Sequence, residues 1–148
     1  MTNGTKGNRR SAPMKIDARR LLDTARKASQ KAYAPYSNIR VGAAALSTSG
    51  KIFTGCNVEN ASLGLTCCAE RVAVQNAVAA GERELVALAV YSPDIKGITP
   101  CGACRQVMAE FADPRGLLII IDGEKGAEPV SLGSLLPAEF RGSRCQRH

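Results

Sequence analysis

Three cysteines constrain this chain more than any other feature. Cys101 and Cys104 stand in the run Pro100-Cys101-Gly102-Ala103-Cys104-Arg105, and Cys68 stands some 30 residues earlier, in Cys68-Ala69-Glu70-Arg71. Each group falls where the pattern of apolar residues starts a helix. A helix N-terminus presents unpaired N–H groups and a partial positive charge. Both favour the thiolate, the form of cysteine that binds metal. The C-x-x-C spacing puts two sulfurs near one point in a first helical turn, and a third sulfur from a neighbouring helix start makes a three-thiolate site. Zinc prefers four ligands in a tetrahedron, so three protein ligands leave one position for water, which distinguishes catalytic zinc sites from closed ones. The expectation is one zinc ion per chain on Cys68, Cys101 and Cys104.

Glu70 lies two residues after Cys68, too close to be a good co-ligand but within reach of a water at the fourth position. A carboxylate there can take a proton from water and pass it on, an arrangement that resembles the signature of zinc deaminases with three cysteine ligands. Three thiolates on one zinc carry a net negative charge, which weakens the ion as a Lewis acid. Arg71 and Arg105 each directly follow a site residue, and at least one is expected to hydrogen-bond a ligand sulfur and offset that charge. Taken alone, the C-x-x-C run suits a redox pair or a closed zinc knuckle equally well. A closed knuckle needs a fourth ligand. The single histidine is His148, in the C-terminal basic run, and Cys67 is adjacent to Cys68 and poorly placed to face the same ion. Cys56 reads as a small buried hydrophobe in a strand, and Cys145 as an inert tail residue.

The net charge of +7 raises the question of a nucleic-acid partner. Its distribution argues against one. Residues 1–20 carry six basic side chains and one acid, residues 141–148 carry three arginines, and residues 21–140 carry 11 basic and 12 acidic side chains. The body is near neutral and the excess sits at the ends, with no aromatic platform for stacking bases. Residues 1–13 read as a flexible basic leader, 14–140 as one catalytic domain, and 141–148 as a basic tail. No apolar stretch is long enough to span a membrane, and the basic N-terminus lacks the apolar segment of an export signal. Six cysteines without such a signal point to a reducing, cytoplasmic setting.

The pattern predicts a helix from Ile16 to about Tyr33 capped by Asp17, with Leu21, Leu22, Ala25, Ala28 and Ala32 at helical spacing. It predicts a hairpin of Val41–Leu46 and Ile52–Val58 around Thr48-Ser49-Gly50, then a helix from Cys68 to a stop at Gly81. A strand at Leu85–Tyr91, a helix from Cys101 to Phe111 and an apolar strand at Leu117–Ile121 follow, and the last is expected to be central and buried. Gly123–Gly126 turns the chain into a final short element at Val130–Leu136. Strands interleaved with helices indicate an α/β fold with helices on both faces of one sheet.

These residues resemble the small cytidine deaminase family over roughly residues 32–140. The matching stretches are Tyr33-Ala34-Pro35-Tyr36-Ser37, Arg40-Val41-Gly42-Ala43, Gly55-Cys56-Asn57-Val58-Glu59-Asn60-Ala61, Cys68-Ala69-Glu70-Arg71, Pro100-Cys101-Gly102-Ala103-Cys104-Arg105-Gln106 and Leu135-Leu136-Pro137. The resemblance implies a three-layer α/β/α fold with a five-stranded mixed sheet. It also implies a homotetramer with shared active sites, zinc, and deamination of cytidine and 2′-deoxycytidine in pyrimidine salvage. It assigns the ribose to Asn57 and Glu59, the base pocket to Ile39 and Ala69, and contact with a neighbouring subunit's pocket to Phe140. Two positions depart from the family pattern. Ile39 stands where a Phe is usual and Leu63 where a Tyr is usual. Ile39 cannot supply the edge-on aromatic contact, worth about 0.5–1.5 kcal/mol beyond area burial.

Three other readings make distinguishable demands. A deaminase of a different aminopyrimidine nucleoside, such as blasticidin S, fits poorly with the intact Asn57-Val58-Glu59-Asn60 run. A polynucleotide deaminase needs a basic face that the body lacks. A non-catalytic zinc module would leave Glu70 without a role.

Overall fold

The structure, a computed structural model, describes residues 14–142. The expected leader and most of the basic tail, with Cys145 and His148, lie outside those residues.

The first helix, α1 (Ala18–Ser29), starts where Asp17 accepts a hydrogen bond from the Arg20 N–H at 3.0 Å. Such an N-cap contributes about 1 kcal/mol. Leu21, Leu22, Ala25 and Ala28 form its buried stripe. The helix ends four residues before Tyr33, short of the expected limit. Tyr33 is instead drawn into an isolated parallel bridge with Val58, its N–H donating to the Asn57 carbonyl and its carbonyl accepting from the Glu59 N–H. The hairpin follows as β1 (Gly42–Ser47) and β2 (Ile52–Cys56), then a 3-10 turn at Leu63–Leu65, α2 (Ala69–Ala79) and β3 (Leu85–Tyr91). Gly81, at φ +95°, closes α2 in the left-handed conformation that glycine adopts freely. The chain ends with α3 (Gly102–Glu110), β4 (Leu118–Gly123), β5 (Gly126–Ser131) and α4 (Leu132–Leu135).

The five strands form one sheet in the order β2-β1-β3-β4-β5, with β3 and β4 parallel and the other neighbours antiparallel. Two expectations change. The strand at the centre is β3, not β4. β4 lies between β3 and β5, with Ile119 and Ile120 buried but Leu118 37% exposed at the rim where the strand begins. The last element is a strand and a helical turn rather than one piece. Glu128 and Pro129 interrupt the apolar pattern of β5, and a proline is tolerated there because β5 is an edge strand.

Side chains alternate between two cores. Ala43, Ala45, Leu88, Val90 and Ile119 face α2 and α3. Ala44, Leu46, Ala87, Ala89 and Ile120 face α1. The small residues allow the helices to sit very close to the sheet. A Cβ at Gly42 would lie 2.0 Å from the Ala25 carbonyl oxygen of α1, and one at Gly55 would lie 2.4 Å from both the Ala69 carbonyl oxygen and the Ala73 nitrogen of α2. The first turn of α2 therefore rests on bare β2 backbone.

The register gathers the functional segments. Gly42 pairs with both Cys56 and Tyr91, and Val90 pairs with Ile121. The start of β1 and the ends of β2, β3 and β4 thus lie at one end of the sheet. From that end emerge segments 33–41, 57–68 and 92–101, with Ile39, Asn57, Glu59, Cys68 and Cys101 on them.

Gly42→Ala and Gly55→Ala should each cost about 1–3 kcal/mol or more by overpacking, a fall of several degrees in Tm for a chain of this size. Gly64→Ala, where an added Cβ meets open space, should change Tm little. Thermal unfolding of the three variants checks this, and equal Tm values would contradict the close seating of the helices.

Candidate active site

Cys68 and Cys101 are the N-cap residues of α2 and α3, and Cys104 lies in the first turn of α3. Their three sulfurs all lie within 4.8 Å of one another, and those of Cys101 and Cys104 are 3.5 Å apart. Two sulfurs on a tetrahedral ion at about 2.3 Å lie about 3.8 Å apart, so the group needs only small adjustments to hold zinc. A disulfide needs about 2.05 Å, and the cysteines are free thiols. Hydrogen bonding from Cys104 lowers the Cys68 pKa to about 5, while the Cys104 thiol, donating to Cys68 and buried, is pushed up. One thiolate therefore forms readily before any ion arrives. Soft sulfur donors with this spacing suit zinc.

Arg71 adds a second sign of an anionic centre. Its Nη2 donates to the Thr66 carbonyl at 2.8 Å and to the Cys68 sulfur at 3.8 Å. Its Nε is buried with no hydrogen-bond partner among the described residues. A guanidinium held there beside the sulfurs offsets one unit of negative charge, the net charge that three thiolates on one divalent ion would carry. Arg105 has a different place. Its Nε donates to the Pro100 carbonyl at 2.8 Å and its Nη1 to the Leu135 carbonyl at 2.9 Å, which ties the start of α3 to α4 rather than to a sulfur.

Glu70 is 4% exposed in the first turn of α2, and burial pushes its carboxyl up to about 7. Ala69 beside it is fully buried. Cys67 stays out of the sulfur group. Its backbone pairs with Val58, and its thiol lies 3.9 Å from the Gln75 Oε1. Cys56 is half-buried rather than buried, its thiol donating to the Lys31 carbonyl at 3.4 Å.

Asn57 and Glu59 are both 8% exposed and both hold segment 36–41. The Asn57 Oδ1 accepts from the Val41 N–H at 2.8 Å, and its Nδ2 donates to the Ile39 carbonyl at 2.8 Å. The Glu59 Oε2 accepts from the N–H groups of Tyr36 (2.8 Å) and Ser37 (3.2 Å), and its Oε1 accepts from the Ser37 hydroxyl. The Ser37 bond, first among these, holds the Glu59 carboxyl below the usual carboxylate range. Arg40 closes the far end of the segment, its N–H and guanidinium both on Asp94. Sequence reasoning did not single out Ser37 or Asp94. The Ser37 hydroxyl accepting from the Ile39 N–H at 3.1 Å is a local Ser turn readable from spacing. Its bond to Glu59 spans 22 positions and is not.

Ile39 is half-buried. Phe140 is 77% exposed, and its carbonyl accepts from the Gln106 Nε2 at 2.9 Å. A cavity of about 690 Å³ opens near the other end of α3, against Ala109, Glu110 and Pro137. It contains none of the sulfurs and is not the site.

With this geometry in place, the comparisons with known proteins can be read. The cytidine and deoxycytidylate deaminase zinc-binding region matches residues 15–119, a span that holds all three sulfurs and Glu70. The chain belongs to this deaminase family. It is 43% identical to a cytidine deaminase of Halalkalibacterium halodurans over 127 residues, covering 84% of this chain and 95% of that one. The crystal structure of cytidine deaminase from Burkholderia pseudomallei is 48% identical with a TM-score of 0.76, covering 82% of this chain and 97% of the other. That from Mycobacterium tuberculosis is 43% identical with a TM-score of 0.77, covering 86% and 99%. The deaminase fold and a zinc centre are therefore properties of this chain.

Arg71→Gln should weaken zinc retention about tenfold or more, as loss of a partner to a metal ligand does. Competition with a chromogenic chelator measures this. Retention equal to that of the unmodified chain would remove Arg71 from the metal's support.

Proposed function

We propose that this deaminase hydrolyses cytidine and 2′-deoxycytidine to uridine and 2′-deoxyuridine with release of ammonia. The observation that carries the reading is a buried carboxyl, Glu70, in the same helical turn as one of three convergent thiols. Held by Cys68, Cys101 and Cys104, zinc supplies Lewis-acid activation of water. Glu70 takes a proton from the attacking water and delivers it to N3 of the pyrimidine, making C4 electrophilic. The water oxygen bonds to C4, and Glu70 then takes the remaining hydroxyl proton of that tetrahedral adduct and gives it to the exocyclic amine, so that the C4–N bond breaks, ammonia leaves and the C4 carbonyl forms. Arg71 offsets the charge of the thiolates beside this step. The N–H of Ala69, at the first position of α2 and without a helical acceptor, is available to the carbonyl of the base.

Counting hydrogen bonds supports a sugar hydroxyl as the partner of Asn57 and Glu59. An amide nitrogen has two N–H donors and a carboxylate about four acceptor sites. Asn57 spends one donor on Ile39, and Glu59 spends three sites on Tyr36 and Ser37. Asn57 Oδ1 accepts once, from Val41, so one amide donor and two acceptor sites remain, one on each side chain. A single hydroxyl, which both donates and accepts, can take the Asn57 donor and give its own hydrogen bond to Glu59.

Exposed Tyr36, Leu63, Leu65 and Phe140 form apolar surface that suits contact with further copies of the chain. We infer a homotetramer, with Phe140 reaching towards a neighbour's pocket and Ile39 against the base. Among the described residues no helix is long and apolar enough to cross a membrane, and a cytoplasmic salvage role fits the free thiols.

Wild-type protein loaded with zinc should consume cytidine, seen as loss of its absorbance band, and Glu70→Gln should retain zinc while losing at least about a hundredfold in kcat, as expected for loss of a general acid-base. Comparable rates for the two would remove Glu70 from proton transfer.

A further inference from the structure

We infer that Ser37 is a positioning residue for nucleoside binding, its hydroxyl joining the Glu59 carboxylate to the backbone of Ile39. This rests on the deaminase reading above. Segment 36–41 belongs to no regular helix or strand, so its backbone groups must find partners elsewhere. The Asn38 N–H and the Val41 carbonyl find backbone partners in Ala34 and Asn57, and the N–H groups of Tyr36, Ser37, Ile39, Arg40 and Val41 find side chains. The Ile39 N–H donates to the Ser37 hydroxyl and the Ile39 carbonyl accepts from Asn57, so both of its backbone groups are held by side chains. The Ser37 hydroxyl in turn donates a hydrogen bond to Glu59 Oε1. Glu59 also accepts from the Ser37 N–H.

The consequence is a continuous chain from Asn57 through Ile39 and Ser37 to Glu59. The residue expected against the base and the pair expected on the sugar therefore move as one unit. Asn38 sits within this unit at φ +58°, an uncommon conformation that Asn tolerates better than most residues. The Arg40 N–H on Asp94 closes the end away from Ser37. With the Ser37 hydroxyl gone, Glu59 loses its one side-chain donor and Ile39 loses the acceptor for its N–H. The Glu59 carboxylate then has a free acceptor site directed at no ligand, and the segment bearing Ile39 is held through its carbonyl alone. The reacting amine is handled by Glu70 and the sulfur group, which Ser37 does not touch. The effect should fall on binding rather than on the chemical step.

The test compares wild type, Ser37→Ala, Ser37→Thr, Glu59→Gln and the double variant Ser37→Ala/Glu59→Gln on cytidine, with zinc content and Tm measured for each. A hydrogen bond to a charged group is lost, so KM for Ser37→Ala should rise about tenfold or more, with kcat within about threefold and zinc content unchanged. Ser37→Thr, which keeps the hydroxyl, should recover most of the affinity. The double variant should be little worse than Glu59→Gln alone, because both changes break the same chain. A Ser37→Ala KM within twofold of an active wild type would overturn this inference alone, as would losses that simply add in the double variant. An equal fall in kcat and Tm without recovery by Thr would mark Ser37 as merely structural and also overturn it. A wild type that binds zinc but consumes no cytidine would sink the substrate reading itself and this inference with it.

Discussion

Two helix N-termini meet at one end of the sheet, and the rest of the site is placed relative to them. α2 and α3 each begin at a cysteine N-cap, so the partial positive ends of both helices converge on the same sulfurs. That field favours thiolate, and thiolate favours a soft cation. α2 could not reach this position if the strand beneath it carried ordinary side chains. α2 sits so low on β2 that Gly55 must lack a side chain, and α1 sits equally low on β1 at Gly42. The alanines of β1 and β3 extend the same close approach across the sheet.

The site has two mechanically different halves. The half that carries the chemistry is anchored on helices, with Glu70 and Cys104 buried in first turns. The half expected to grip substrate is irregular chain, held by side chains reaching across from other segments, Asn57, Glu59 and Asp94, and by its own Ser37. Glu59 and Asn57 spend most of their hydrogen-bonding capacity on segment 36–41, and one amide donor and two acceptor sites are left over. The two halves meet because β1, β2 and β3 deliver their connections to the same end of the sheet.

Much of this was legible in the chain. The cysteine spacing and the helix starts located the metal group, and the alternating apolar runs located four strands and three main helices. The fifth strand was not visible to periodicity, because Glu128 and Pro129 sit in an edge strand that tolerates both. Its presence was implied only by family resemblance. The end of α1 was misread because a bridge to Val58, far along the chain, captures Tyr33. Arg71 and Arg105 look alike beside their motifs, yet only Arg71 reaches a sulfur. Arg105 finds a carbonyl 30 positions away. Ser37 was legible as part of a motif but not as the partner of Glu59. What escaped the sequence was pairing across distance, which no local pattern records.

The most direct test of the central claim is zinc K-edge X-ray absorption on the purified chain, together with its metal content. The account predicts one zinc per chain with three sulfur neighbours and one lighter neighbour, the open position of a catalytic centre. Four sulfurs, with Cys67 drawn in, would mark a closed structural site. That result, or sulfurs that retain no zinc, would contradict the account.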